Sequence, residues 1–361
     1  MTIKEKRKTN PRRRVLIKLI FGLVLIVSVL AVGIQALRPT GAQIVYIAPD
    51  DNGYDAIWIA DVNDPEHPRQ LTHHKESRIL YFQVSNKNSI VFYRTYPIDN
   101  SIPNEFRTIN LDTGLQRIIP LCYTYFCRNY KLSPDGQWLT FEDSDEELIR
   151  VVIQNLQTLE QQILFETERG YLGYNQPHPR WIENTGLLSF RTTFDDISDY
   201  VFYNIEENQI VETFSVNIGI QTPIFSDDGS FYSYNSGRQN INIHHRDNPT
   251  DILYQIHYME ASSLDWHDDR VLISETRLID NSDTIRDLNI YNLLTGENET
   301  LTSSEREQFD VSFNMDGSQI LYSTYVPNEY YRQFMLFDME SREEITLPIV
   351  GGRPQWVNGG Q

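Results

Sequence analysis

Three related turns, each followed by an alternating apolar run, limit most strongly what this chain can fold into. Tyr130-Lys131-Leu132-Ser133-Pro134-Asp135-Gly136 precedes Gln137-Trp138-Leu139-Thr140-Phe141. Pro223-Ile224-Phe225-Ser226-Asp227-Asp228-Gly229 precedes Ser230-Phe231-Tyr232-Ser233-Tyr234, and Val311-Ser312-Phe313-Asn314-Met315-Asp316-Gly317 precedes Ser318-Gln319-Ile320-Leu321-Tyr322. Weaker copies close at Asn88, Gly186 and Asp269. With the last turn residue as marker, the copies fall at 88, 136, 186, 229, 269 and 317, at intervals of 48, 50, 43, 40 and 48. Self-similarity at such a period signals stacked supersecondary units. Asp, Asn and Gly tolerate positive φ or cap their own backbone, as tight hairpin turns require. Beyond residue 42 the apolar runs are short, rich in Tyr, Phe, Ile and Val, and without a useful stretch of helical period, so the chain reads as all-β.

Each unit continues into a third and a fourth strand. Arg107–Gly114 leads to Leu115–Ile119, and Leu288–Gly296 leads to Glu297–Thr302. Four antiparallel strands in about 45 residues make one propeller blade. The ends complete each other: Gln43–Ile47 is a second strand with no first strand before it, and Arg353–Val357 is a first strand with no second strand after it. This predicts a propeller over 43–361, closed by a strand at 353–357 set against the strands of 43–72. Six internal units and the shared one make a seven-bladed β-propeller of four-stranded blades. A six-bladed ring that treats 79–119 as an insertion is the alternative.

The Ser133-Pro134-Asp135-Gly136 turn, its copy Ser226-Asp227-Asp228-Gly229, and the strand ends Arg69-Gln70-Leu71-Thr72 and Glu299-Thr300-Leu301-Thr302 resemble the WD40-like repeats of the TolB-type β-propeller family. The resemblance implies a propeller and work in the bacterial envelope; it implies no activity by itself.

The charge of −19, from 31 Lys and Arg against 50 Asp and Glu, is unevenly placed. Nine basic residues and one acid lie before residue 41, and the remaining 22 basic and 49 acidic residues carry −27. A body so acidic repels phosphate backbones, which argues against nucleic-acid binding. Leu19–Leu37 is nineteen residues without a charge, and as a helix it would span about 28 Å at about 1.5 Å per residue. The reading is a basic cytoplasmic tail at 1–14, a transmembrane signal anchor at 15–37, a linker at 38–42, and a body placed across the cytoplasmic membrane by the positive-inside rule. Arg13-Arg14 also resembles a twin-arginine export signal, and Ala36 and Ala42 leave cleavage open.

The hydrolase, nucleotide and zinc-protease signatures Gly-x-Ser-x-Gly, Gly-x-x-x-x-Gly-Lys-Ser/Thr and His-Glu-x-x-His are absent. The adjacent pairs His73-His74 and His244-His245 point to opposite faces of a strand and cannot both grip one ion there. Acidic groups at Asp50-Asp51 and at Asp195-Asp196 with Asp199 lack the EF-hand spacing for calcium and read as solvated turns. No cofactor or metal site is expected. Cys122 and Cys127 fall between two blades, where an exported protein would form a local disulfide.

The preferred function is a non-catalytic, membrane-anchored module of the cell envelope that binds or scaffolds a protein or glycan partner. The rival is an exported carbohydrate-active enzyme resembling oligogalacturonate lyases, with His178, His257 and His267 around a metal in the channel. The longest connections fall mostly between second and third strands, at 94–105, 192–199, 277–284 and 325–331, and long loops concentrate binding residues. The predicted partner face therefore carries Arg94 and Tyr96, Phe194 and Asp195, Arg277 and Asp280, and Tyr325, Tyr330 and Tyr331, a mixture of aromatic and charged anchors.

Overall fold

Tight Asp/Asn/Gly turns separate runs of β-branched and aromatic residues, so the chain folds as consecutive antiparallel hairpins. A computed structural model of the protein describes residues 42–75, 77–85, 87–98, 105–122, 126–169, 176–194, 198–216, 223–235, 240–257, 261–280, 283–302, 307–327 and 330–357. The segment 15–37, read as a membrane span, lies outside them. The chain opens with β1 (Gln43–Pro49), β2 (Asp55–Asp61) and β3 (Asp64–Gln70). β4 (Ser77–Ser85), β5 (Ile90–Pro97), β6 (Glu105–Asn110) and β7 (Gln116–Ile119) pair in order into one sheet. β8 (Phe126–Leu132), β9 (Trp138–Ser144), β10 (Leu148–Asn155) and β11 (Gln161–Glu168) form the next. β12 (Arg180–Ile182), β13 (Leu187–Arg191), β14 (Ser198–Asn204) and β15 (Gln209–Val216) repeat the pattern. So do β16 (Ile224–Phe225), β17 (Phe231–Asn235), β18 (Asn240–His245) and β19 (Tyr254–His257), and then β20 (Ala261–His267), β21 (Arg270–Asp280), β22 (Asp283–Asn292) and β23 (Asn298–Thr300). Last come β24 (Gln308–Phe313), β25 (Gln319–Thr324), β26 (Arg332–Asp338) and the fourteen-residue β27 (Glu344–Val357).

Burial grades outward across each sheet. Second and third strands such as β9 and β10 are buried over most of their length, whereas the fourth strands β11 and β23 are largely exposed. First strands of successive sheets touch one another, β4 with β8, β8 with β12, β20 with β24, and β27 with β4, which places them innermost around a central axis. The core fills the wedges between sheets. Phe92 of β5 and Phe141 of β9 share one cluster, and Phe202 of β14 packs with Phe225 and Tyr232 of the following sheet in another. This is a β-propeller.

Its sheets differ from the seven separate four-stranded blades that the repeats predict, and among the described residues no helix is long and apolar enough to cross a membrane. There are five four-stranded sheets and one seven-stranded sheet, ordered β24-β25-β26-β27-β1-β2-β3. The reason lies in β27. Its first half pairs with β26, with Glu344 opposite Phe337 and Val350 opposite Gln333. Its second half pairs with β1, with Gly352 opposite Ile47 and Val357 opposite Gln43. One continuous strand therefore joins what the sequence presents as a fourth strand and a separate first strand. The segment 79–119, an insertion in the six-bladed alternative, is instead a complete sheet.

The crossing from one half of β27 to the other occurs at Gly351. A Cβ there would lie 2.7 Å from the Ile47 carbonyl oxygen, 2.7 Å from the Tyr46 ring and 2.9 Å from the Phe334 ring, whereas at Gly352 nothing lies within 4 Å. We expect Gly351→Ala to cost roughly 1–3 kcal/mol through overpacking. Gly352→Ala should stay within about 0.5 kcal/mol of the parent. Denaturant melts of the two variants check this, and equal stability would show that the crossing is not crowded.

Candidate functional site

The turns between first and second strands share one hydrogen-bond plan. Gly136, Gly229 and Gly317 donate their amides to the carbonyls of Ser133, Ser226 and Asn314 at 2.8, 2.9 and 3.1 Å. The side-chain oxygens of those same three residues accept from the amides of Trp138, Phe231 and Gln319 at 2.9, 3.0 and 3.0 Å. Asp135, Asp228 and Asp316 accept the amide two residues on, and the Ser318 hydroxyl and amide hold Asp316 below its usual carboxylate range. These acids are therefore turn formers. The residue just after each Ser or Asn is free of that duty, and Pro134, Asp227 and Met315 at this position line a central cavity of about 650 Å³.

The cavity lies among the innermost strands at the end of the propeller where these turns gather. Its walls include Glu183, Asp227 and Asp265, while Arg353 and Lys87 supply positive charge. Asp265 also has a structural task, since its Oδ2 accepts the Phe313 amide of the next innermost strand at 2.8 Å. Loss of hydration inside the cavity, then the charges of Asp265 and Glu183, push Asp227 up to about 7. The same desolvation pushes Asp265 to about 7, against the amides of Phe313 and Trp266 that stabilise its charged form. Desolvation likewise raises Glu183, although its side chain touches cavity solvent; protein hems that solvent in and Lys87 offsets only part of the effect. Farther along the same innermost strands, burial pushes Lys131 of β8 down to about 8, with Arg180 of β12 adding to the shift.

The sequence-predicted partner face is at the opposite end, where second strands turn into third strands and one sheet leads to the next. Arg94 of β5 lies 5.6 Å over the Phe106 ring, and Tyr96 is exposed. Phe194 lies under the Arg191 guanidinium at 5.1 Å. Tyr325 and Tyr330 are exposed, and Tyr331 donates its hydroxyl to Asp55 at 2.8 Å. Arg277 and Asp280 fall within β21 and pair with Ile285 and Asp283, so 277–284 is mostly a hairpin arm and not the loop that the sequence predicts. Asp195 lies outside the described residues. Cys122, after β7, and Cys127, near the start of β8, are joined by a disulfide with Cα atoms 5.8 Å apart.

The three histidines of the rival enzyme occupy separate places. His178 Nδ1 accepts from the Asn129 side-chain amide at 3.2 Å, and its backbone amide donates to Glu142 at 2.7 Å. His267 packs against Phe313 on the cavity wall, and His257 ends β19, the outermost strand of its sheet. Among the described residues no three His, Cys, Asp or Glu side chains form a group able to hold a metal ion. His244 stacks with Tyr232 at 5.1 Å while His245 meets the Phe231 ring edge-on at 5.2 Å. Asp50 accepts the amides of Asn52 and Tyr54 and so shapes its own turn.

No sequence-family model and no curated protein matches the chain. Among solved structures, the propeller domain of the Trilobed protease from Pyrococcus furiosus has a TM-score of 0.53 at 18% identity, over 78% of this chain and 86% of that one. A prolyl endopeptidase gives 0.53 at 11% identity over 76% of this chain and 44% of its own. TolB from Acinetobacter baumannii gives 0.47 at 16% identity over 90% of this chain and 68% of its own. At such identities the likeness is one of fold, and the class it defines is the all-β propeller.

The two cavity aspartates give the stability a pH dependence of definite sign. Their folded values lie above the unfolded 3.8, so between about pH 4 and about pH 7 the folded protein holds protons that the unfolded chain has released, and stability falls as pH rises through that window. The contribution is complete below the lower limit and lost above the upper one. We expect the melting temperature to drop between about pH 4 and about pH 7, and the double variant Asp227→Asn, Asp265→Asn to flatten the drop, since Asn still accepts the Phe313 amide. An unchanged slope in the double variant would remove these carboxyls as the cause.

Proposed function

We propose that the protein is a membrane-tethered binding module whose propeller lies outside the cytoplasmic membrane and holds a protein or glycan partner on the face made by the connections between second and third strands. The observation that carries this reading is Tyr330, which is 91% exposed and meets Tyr331 edge-on at 5.1 Å. Tyr331 is fixed in turn by its bond to Asp55, and Arg78 lies within electrostatic reach of its hydroxyl. Arg78 pairs across the β4–β5 ladder with Tyr96, so the exposed rings of Tyr96 and Tyr330 flank a braced stretch that holds Arg78 and Asp55. A rigid aromatic group has little side-chain entropy to lose on binding, which suits it to anchor a partner. The uncharged run at 19–37 behind a basic tail supports the tether.

Protease added outside spheroplasts should digest the propeller and spare the basic tail. A crosslinked partner should be captured at least about tenfold less well by Tyr330→Ala, Tyr96→Ala than by the parent, as for loss of interface hot spots. The control Ile163→Ala, at an exposed position of the outer strand β11, should capture normally. Equal capture by all three proteins would refute the face assignment.

A further inference from the structure

We infer that Lys131 and Arg180, on adjacent innermost strands, form a binding site for an oxyanion, a carboxylate or phosphate group carried by a small ligand. The inference is independent of the partner-face reading, because it concerns the channel and not the connections at the opposite rim. Lys131 is the last residue but one of β8 and Arg180 begins β12, and the two strands are tied where the Trp181 indole donates to the Lys131 carbonyl at 3.0 Å. Both residues are only partly accessible. Among the described residues neither side chain has an ion pair or a hydrogen bond.

Several guanidinium groups meet carboxylates, as where Arg150 bonds Asp145 and Glu166, Arg332 bonds Asp310, and Arg342 bonds Glu299, while Arg69, Arg117 and Arg353 bond backbone carbonyls instead. With 49 acids to 22 bases beyond residue 40, composition does not force two cations to go without partners. Glu142, a buried acid of the neighbouring strand β9, is already engaged by Arg128 at 2.9 Å and by the His178 amide at 2.7 Å. The groups that bear on Arg180 besides its burial are the phenols of Tyr200 and Tyr81, which are uncharged at neutral pH. His178 is held below its ordinary value first by burial, against the charge of Glu142, with Arg180, Arg128 and Arg191 adding to the lowering.

Two like charges out of bulk water are costly unless an opposite charge joins them. An oxyanion supplies that charge together with several acceptor lone pairs, matched by the flat fork of a guanidinium and the compact donor set of an ammonium. Tyr81 lines the cavity and donates its hydroxyl to the carbonyl of Tyr130, the residue before Lys131, at 2.7 Å, so the basic pair adjoins the cavity wall. At neutral pH the carboxyls of Asp227 and Asp265 at the cavity walls are partly protonated, which lessens their repulsion of an entering anion.

The test is thermal melting and titration calorimetry of the full chain with inorganic phosphate and, separately, with galacturonate as a carboxylate probe. A rise in melting temperature with phosphate alone assigns a phosphate group, with galacturonate alone a carboxylate, and with both a general oxyanion site. Lys131→Met and Arg180→Met should each weaken that binding by roughly ten- to a hundredfold, as for loss of a hydrogen bond to a charged group. Ligand-free Lys131→Met should melt at or above the parent temperature, since it removes an uncompensated charge; Lys131→Gln serves if the methionine variant does not fold. The inference is overturned if neither probe shifts the parent protein, if the shift persists undiminished in both variants, or if the ligand-free Lys131 variants lose stability while binding is unchanged.

Discussion

The first strands β4, β8, β12, β16, β20 and β24 each end a sheet and have one edge with no strand beside it, and the means by which those edges are satisfied organises the propeller. Unpaired backbone groups that are shielded from water need partners. The partners here are side chains of the next innermost strand. Gln355 accepts the Val84 amide at 3.0 Å, Gln83 the Leu132 amide at 2.7 Å, and Asp265 the Phe313 amide at 2.8 Å. Donors complement them: the Trp181, Tyr81 and Trp356 side chains bond the carbonyls of Lys131, Tyr130 and Ser312. These contacts set the spacing of the sheets about the axis, and the aromatic wedges between sheets then fill the room that remains.

The same requirement shapes the chemistry of the channel. Gln83 and Gln355 meet the need for an acceptor without charge, whereas Asp265 meets it with a carboxyl that desolvation drives up to about 7. Asp227 and Glu183 share its end of the channel, and Lys131 and Arg180 stand farther along the same strands. A channel with separated acidic and basic stretches is a polar lining on a rigid frame, which is how propellers with little else in common acquire distinct ligands.

Closure is achieved by a single strand. β27 leaves one sheet and enters the next without a turn, and Gly351 lets the backbone pass the Ile47 carbonyl and the Tyr46 and Phe334 rings. The termini of the described body are thereby held in one sheet, so ring integrity and the integrity of the seven-stranded sheet are the same physical property. The proposed partner face is tied to this sheet, since Tyr331 of the β25–β26 connection bonds Asp55 at the start of β2.

The sequence by itself determined the strand periodicity and the turns. Ser133–Gly136, Ser226–Gly229 and Asn314–Gly317 are local devices whose bonds run within six residues, so their form is legible without knowledge of the rest. It also marked Tyr325 and Tyr330 as residues of a long connection, because loop position follows from strand order, but it put Arg94 and Tyr96 in a loop where the structure extends β5 through Pro97. It misjudged 277–284, where the hairpin extends to Asp280 and Asp283, because polar residues at a sheet's end are compatible with either loop or ladder. Only the tertiary structure decided that β27 is continuous and that Gly351 is crowded, since both depend on contacts with β1 some three hundred residues away in the chain. The same holds for Lys131, Arg180, Asp227 and Asp265. Each looks like an ordinary strand or turn residue in its own repeat, and only the ring of innermost strands sets them around one channel where loss of hydration, a property of the assembled surroundings, changes their chemistry.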